Sequence, residues 1–231
     1  MTQYAWLIFD ADGTLFDFEH AEAMALTNTP RQLNLAVPAV FSQAYHRINN
    51  GLWKRFEAGE LLAHDIRRER FSQLFEELEL AGDSHAFGEA FLDNLVNETM
   101  FLEGAEALIN HLKGSYRLAI LTNGFASVQH ARISRLGLRD LFHPIIISEE
   151  VGAAKPDAAV FDIALRKMGD PDKDKVLMIG DSLESDIHGG SNAGIDTCWF
   201  NPSSQPNPTS IHPTYEIQRL HELHALLGAR D

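Results

Sequence analysis

Cysteine is almost missing from this chain. Cys198 is the only one among 231 residues, so no intramolecular disulfide can form. That fits a reducing compartment. No run of about 18 consecutive apolar residues occurs, so no bilayer-spanning helix and no membrane partner are expected. The opening stretch MTQYAWLIFD has neither a basic start nor an extended apolar core. It reads as neither a signal nor a transit peptide, and the expected location is the cytoplasm. Cations are few beside anions: 19 Lys and Arg stand against 33 Asp and Glu, a net charge of −14. Such a balance works against nucleic-acid polymers and anionic lipid surfaces. A small phosphorylated molecule stays possible, because a metal ion and a few local cations can hold it. Two nucleotide signatures are also missing, the G-x-x-x-x-G-K-[ST] loop and G-x-G-x-x-G, which removes support for an ATPase loop or a dinucleotide site. Ser182 follows Gly180-Asp181, but Glu184 occupies the place where an esterase elbow needs glycine.

What is present is an alternation. Tyr4–Phe9, Tyr116–Leu121, Ile145–Ile147, Val176–Ile179 and Thr197–Phe200 are short, continuous apolar runs. Their length and β-branched content predict strands buried on both faces. Between them, Ala105, Leu108, Ile109 and Leu112 share one helical face, as do Val160, Phe161, Ala164, Leu165 and Met168. Strand and helix in turn predict βαβ units and a parallel sheet, a Rossmann-like α/β fold. Residues 17–98 break the rhythm. No strand is evident there, and Leu62, Ile66, Phe71, Leu74, Phe75 and Leu78 mark an amphipathic helix, with Gly51, Gly59 and Gly82 as breaks. We therefore expect an α/β core over 1–16 and 99–231, interrupted by a helical subdomain over 17–98. A last helix is expected over about Glu216–Leu227.

Four polar clusters follow strands: Asp10 with Asp12, Thr122 with Asn123, Lys155, and Asp181 with Asp186. The carboxyl ends of strands in an open parallel sheet border one crevice, so residues up to 176 positions apart can meet. Several carboxylates crowded beside one lysine resist joint ionisation. A hard divalent cation with oxygen ligands relieves that, and Mg²⁺ suits one or two carboxylates with substrate phosphate. Each cluster alone has a plain structural reading, as a turn, a strand-end hydroxyl, a surface charge or a helix cap. A calcium loop beginning at Asp10 fails, since Leu15 and Ala21 stand where glycine and glutamate are required. His221 and His224 are read as surface residues, and Cys198 as a buried apolar one.

Asp10-Ala11-Asp12-Gly13-Thr14, Thr122, Lys155-Pro156, and Gly180-Asp181 with Asp186, in that order, resemble the four motifs of the haloacid dehalogenase superfamily of phosphatases. The helical insert resembles that superfamily's cap. The resemblance implies a magnesium-dependent phosphomonoester hydrolase working through an aspartyl-phosphate. Asp10 would be the nucleophile and Asp12 the acid and base. Lys155 would balance charge, and Thr122 and Asn123 would hold the phosphate. Mg²⁺ would lie on Asp10, on the backbone carbonyl of Asp12 and on Asp181, with Asp186 orienting metal-bound water.

Leu52-Trp53, Ile120-Leu121-Thr122-Asn123-Gly124-Phe125 and Ser148-Glu149-Glu150-Val151-Gly152 are most similar to the YjjG-type pyrimidine 5′-nucleotidases, which implies a nucleoside monophosphate substrate. Gly13 departs from that branch. Sugar phosphates or other small esters are the alternative within enzymes, and a phospho-receiver signalling domain the alternative outside them. The chain is expected as a monomer or a homodimer. The insert is expected to select the leaving group. Phe16, Phe18 and Trp53 are candidates either for stacking on it or for packing.

Overall fold

The computed structural model describes residues 4–228. The first three residues of the opening stretch, and the outer domain bounds expected at residues 1 and 231, lie outside the described residues. The chain divides into two compact units, Met1–Phe18 with Met100–Asp231, and Glu19–Thr99. Among the described residues no helix is long and apolar enough to cross a membrane.

In chain order the elements are β1 (Trp6–Phe9), α1 (Phe18–Gln32), α2 (Phe41–Glu57), α3 (Ala63–Glu77), α4 (Ser84–Asn97), α5 (Ala105–Leu112) and β2 (Arg117–Thr122). They continue with α6 (Ala126–Arg135), β3 (Phe142–Ile147), α7 (Ser148–Val151), α8 (Ala158–Lys167), β4 (Val176–Gly180), a π-helical turn at Leu183–His188, α9 (Gly189–Asn192), β5 (Asp196–Phe200), β6 (Tyr215–Ile217) and α10 (Leu223–Leu226). The strands form one parallel sheet in the order β3-β2-β1-β4-β5-β6. This is the Rossmann-like α/β arrangement, with β1 at the point where the winding reverses.

The continuous apolar runs are explained by period-two alternation. Leu7, Phe9, Leu118, Ile120, Leu177 and Ile179 pack on one face with Leu108, Ile109 and Leu112 of α5. Trp6, Ile8, Ala119, Leu121, Val176 and Met178 pack on the other with Val160, Phe161 and Ala164 of α8. Both faces are covered, so both sets of side chains are apolar.

In the helical unit, α2, α3 and α4 bring aromatic rings together. Phe71 lies 5.7 Å from Tyr45 and 5.0 Å from both Phe87 and Phe91, centroid to centroid. Arg70 is buried among them, its guanidinium 4.8 Å from the Phe71 ring and 4.9 Å from Phe91. Its Nη1 donates to Asn49 Oδ1 at 3.3 Å, and the Tyr45 hydroxyl donates to Glu22 Oε1 at 2.8 Å. Burying that cation is tolerable because it is bonded and sits over π-faces.

Two expectations are corrected. Gly51 does not break a helix but lies inside α2. The buried face of Tyr45, Ile48, Leu52 and Phe56 carries the helix through it, and tertiary packing outweighs the roughly 1 kcal/mol that glycine costs there. The stretch 216–227 is not one helix. Tyr215–Ile217 pairs parallel with β5, and a 3₁₀ turn and the short α10 follow. Ile217, Leu220, Leu223 and Leu227 are all buried against the sheet core. Their spacing mimics a helix, but the open edge of β5 claims the first of them for a strand.

Candidate active site

The register of the sheet assembles the site. Phe9 is level with Ile120 on β2 and with Ile179 on β4. Asp10 therefore leaves the sheet at the same height as the Thr122 and Gly180-Asp181 strand ends. Its N–H still donates to the Ile179 carbonyl at 2.9 Å, which keeps Asp10 locked to β4.

Lys155 lies beyond β3 and α7, on the loop before α8. Its backbone is fixed by the Asn123 side chain. The Asn123 Nδ2 donates to the Lys155 carbonyl at 2.8 Å, and the Lys155 N–H donates to Asn123 Oδ1 at 2.9 Å. Lys155 is 1% exposed, and its Nζ donates to Asp10 Oδ1 at 2.5 Å and to Asp186 Oδ1 at 2.6 Å. Asp186 is fully buried, and its other oxygen accepts the Ser182 N–H at 3.0 Å. Asp181 completes the group: Asp10, Asp181 and Asp186 each offer an oxygen, and these all lie within 4.8 Å of one another.

Charge in this cluster is unbalanced, and the side chains respond. Burial pushes the Asp10 carboxyl well above the usual carboxylate range. Lys155 pulls it down, and Asp186, Asp181 and Asp12 push it further up. Asp181 is an exposed residue whose carboxylate nevertheless faces the cluster; desolvation and then Asp186 raise its pKa to about 7, against the pull of Lys155. Burial alone would lower the Lys155 pKa, but Asp10 and Asp186 outweigh it and raise it. These directions are compatible, because three carboxylates share one ammonium. An oxygen-only donor set with surplus negative charge fits a hard divalent cation such as Mg²⁺.

Three glycines leave room for these groups. A Cβ on Gly13, whose φ is +80°, would stand 2.6 Å from an Asp181 oxygen. One on Gly180 would stand 2.2 Å from the Asp186 carboxyl carbon, and one on Gly124 would stand 2.2 Å from Gln129 Nε2. Asp181 does not cap the following helical turn, since Ser182 does so by accepting the Ser185 N–H at 3.1 Å. Instead the Asp181 carbonyl accepts from Trp199 Nε1 at 2.9 Å.

Thr122 and Asp12 are joined through a residue that sequence reasoning missed. Gln129 on α6 donates from Nε2 to Asp12 Oδ2 at 2.6 Å and to Thr122 Oγ1 at 3.1 Å. Thr122 Oγ1 also accepts the Gly124 N–H at 3.3 Å. The hydroxyl oxygen thus serves as an acceptor on the protein side, which leaves its proton to donate. Arg132, one turn after Gln129, is fully buried and pairs with Asp12 Oδ1. Its guanidinium lies 4.8 Å over the Phe16 ring and 5.8 Å from that of Phe18. Phe16 is fully buried in the core, so it cannot stack on a ligand; it supports Arg132 instead. Trp53, in the helical unit, is half-buried and edge-on to Phe56 at 5.4 Å. Cys198 is buried, which pushes its thiol up to about 12. The His224 ring stacks on His111 at 4.0 Å, away from the carboxylate cluster in sequence and fold.

The haloacid dehalogenase-like hydrolase family matches residues 4–194. The chain is 39% identical to the pyrimidine 5′-nucleotidase YjjG of Escherichia coli, over 97% of this chain and 98% of that protein. It is 36% identical to the pyrimidine 5′-nucleotidase PynA of Streptococcus pneumoniae, over 95% and 93% respectively. Among solved structures, the magnesium-bound HAD-hydrolase YfnB of Bacillus subtilis superposes with a TM-score of 0.89 at 36% identity, covering 97% of this chain and 99% of that one. The L-2-haloacid dehalogenase of Xanthobacter autotrophicus, at 19% identity and a TM-score of 0.79, shares the fold.

Proposed function

Because the chain belongs to the haloacid dehalogenase-like hydrolase family, we propose that it hydrolyses phosphate monoesters through an aspartyl-phosphate on Asp10, with pyrimidine nucleoside 5′-monophosphates as its substrates. The observation that carries the reading is the setting of Asp10. It stands at the carboxyl end of the central strand, bonded to Lys155 Nζ at 2.5 Å, with two further carboxylates beside it.

A carboxylate so placed has a free oxygen with which to attack phosphorus. In the first half-reaction the Asp10 oxygen bonds to phosphorus and the bond to the leaving oxygen breaks. Asp12 gives its proton to that leaving oxygen. In the second half-reaction water attacks phosphorus, Asp12 takes the water proton, and the bond to Asp10 breaks to release inorganic phosphate. Thr122, through its hydroxyl proton, and the Asn123 N–H hold phosphate oxygens, while Lys155 offsets their charge and that of Asp10. Asp10, Asp181 and the backbone carbonyl of Asp12 would hold Mg²⁺, with Asp186 beside them. When bound, the ion supplies positive charge to the phosphate oxygens and to the crowded carboxylates. A carboxyl group in the place of Asp12 suits ester cleavage, because departure of an alkoxide needs a proton and departure of a halide does not.

The substrate class rests on the similarity to the two nucleotidases. A phosphate-release screen over nucleoside monophosphates and sugar phosphates, with and without Mg²⁺, tests it. Preference for pyrimidine monophosphates, loss of release without Mg²⁺, and loss of turnover in Asp10→Asn are expected. A preference for a sugar phosphate would overturn the substrate class. Wild-type turnover in Asp10→Asn would overturn the mechanism.

A further inference from the structure

We propose that Gln129 and Arg132 are positioning residues that set the direction of the Asp12 carboxylate. The proposal rests on the acid–base role of Asp12 given above. Both Asp12 oxygens are taken by α6: Oδ1 pairs with Arg132, and Oδ2 accepts from Gln129 Nε2 at 2.6 Å. With both oxygens fixed, the plane of the carboxylate is fixed as well.

Four observations separate this arrangement from ordinary core packing. First, Arg132 is fully buried, and a buried guanidinium is costly unless it is paired. The carboxylate it pairs with sits in the cluster of strand ends, not elsewhere in the core. Second, Gln129 Oε1 is buried without a hydrogen-bond partner, while Nε2 serves two acceptors. An amide turned the other way would set its oxygen against the Asp12 carboxylate. The orientation is therefore dictated by Asp12 and Thr122, at the cost of an unsatisfied carbonyl. Third, the space for that amide exists because residue 124 is glycine. Fourth, the same Nε2 bonds Thr122 Oγ1, so one donor ties the acid–base group to the strand end that would hold phosphate.

One orientation is enough for both half-reactions. In an in-line displacement on Asp10, the leaving oxygen departs from the apical position opposite Asp10, and the attacking water arrives at that same position. A carboxyl aimed there serves first as acid and then as base. Freed from Gln129 and Arg132, Asp12 would rotate about its side-chain bonds and spend less time on that axis.

The leaving group distinguishes this role from a structural one. An alkoxide from a nucleoside monophosphate or a glycerol phosphate needs a proton as it departs, whereas 4-nitrophenolate does not. The ratio of kcat/KM for an alkyl phosphate to that for 4-nitrophenyl phosphate is measured in wild type, Asp12→Asn, Gln129→Leu, Arg132→Met and Arg132→Lys. General acid–base help is worth about 10²–10⁴-fold, and Asp12→Asn is expected to lose most of it on the alkyl phosphate. Gln129→Leu and Arg132→Met are expected to lose about 10–100-fold on the alkyl phosphate, a part of that help. The aryl phosphate should fall by much less in both, keeping only the loss that passes through Thr122, and Arg132→Lys should recover part of the loss on the alkyl phosphate. If Arg132→Met does not fold, the neutral change Gln129→Leu carries the test. An equal fall on both substrates in Gln129→Leu, with the split present in Asp12→Asn, would overturn the positioning role and leave the reaction standing. No split in Asp12→Asn would overturn the acid–base reading, and the positioning role with it.

Discussion

Replacing Lys155 by Met tests the charge structure of the site without reference to any substrate. Lys155 is 1% exposed, and its ammonium bonds two carboxylates, at 2.5 and 2.6 Å. Removing one partner of a buried ion pair typically costs about 3–5 kcal/mol, because the remaining charge is left uncompensated. For a chain of this size each kcal/mol moves Tm by roughly 2–4 °C, so Tm should fall by about 6–20 °C near pH 8. The sign of the pH dependence follows from Asp10. Its folded pKa already lies above the ordinary value of 3.8, and Lys155 is what pulls it down. Between the unfolded and folded values the native state binds more protons than the unfolded one, so stability falls as pH rises through that window. Without Lys155 the folded value climbs and the window widens upward. The gap between wild type and Lys155→Met should therefore be widest near pH 8 and narrow towards pH 5, as Asp10 takes up its proton. Millimolar Mg²⁺ should narrow it at pH 8. Thermal melts followed by circular dichroism at the two pH values read all of this. Equal Tm at pH 8, or a wider gap at pH 5, would refute the reasoning.

Gly180→Ala should destabilise the fold by about 1–3 kcal/mol, because its Cβ would meet the Asp186 carboxyl carbon at 2.2 Å; an unchanged urea midpoint would count against it. Phe71→Ala should cost about 3–5 kcal/mol, since three aromatic rings lie within 5.7 Å of it, centroid to centroid. Denaturant unfolding measures that loss, and a cost below about 1 kcal/mol would mean the ring cluster is not close-packed. In metal-free protein the Asp181 pKa is raised to about 7 from an ordinary value of 3.8. Native Asp181 thus holds a proton that the unfolded chain has lost, stability should fall as pH rises from about 4 to about 7, and Mg²⁺ should raise Tm more at pH 8 than at pH 5. An equal rise at both pH values would contradict this.

Much of the architecture was legible in the sequence, for a physical reason. A strand covered on both faces must be apolar at every position, and such runs stand out in Trp6–Phe9, Leu118–Leu121 and Val176–Ile179. The polar residues at their carboxyl ends stand out equally, because Asp10, Thr122 and Asp181 interrupt otherwise apolar segments. Short edge elements were not legible. Tyr215–Ile217 becomes a strand only because β5 offers it an unpaired edge, and nothing within three residues records that partner. The companions of the candidate site residues were hidden for the same reason. Asn123 is expected to hold phosphate, but the sequence does not record that its side chain also clasps the backbone of Lys155, 32 positions away. A signal for Gln129 and Arg132 did exist: they share the buried face of α6 with Val128 and Ile133, and polar groups on a buried helical face require partners.

The glycines show what a one-dimensional reading cannot reach. Asp-x-Asp-Gly reads as a turn, and for Gly13 that is sound, because its φ of +80° favours glycine. Gly124 and Gly180 are not in that left-handed region. Neither φ therefore calls for glycine in the way that of Gly13 does. What requires it is volume: the first missing methyl group is where the Gln129 amide sits, and the second is where the Asp186 carboxylate sits. The side chains that fill those two spaces bond Asp12 and Lys155. A methyl at 124 should therefore disturb Asp12 through Gln129, and a methyl at 180 should disturb Asp10 through Asp186 and Lys155. Glycine at these positions is thus an indirect requirement of the aspartates at the end of β1, imposed from the neighbouring strands.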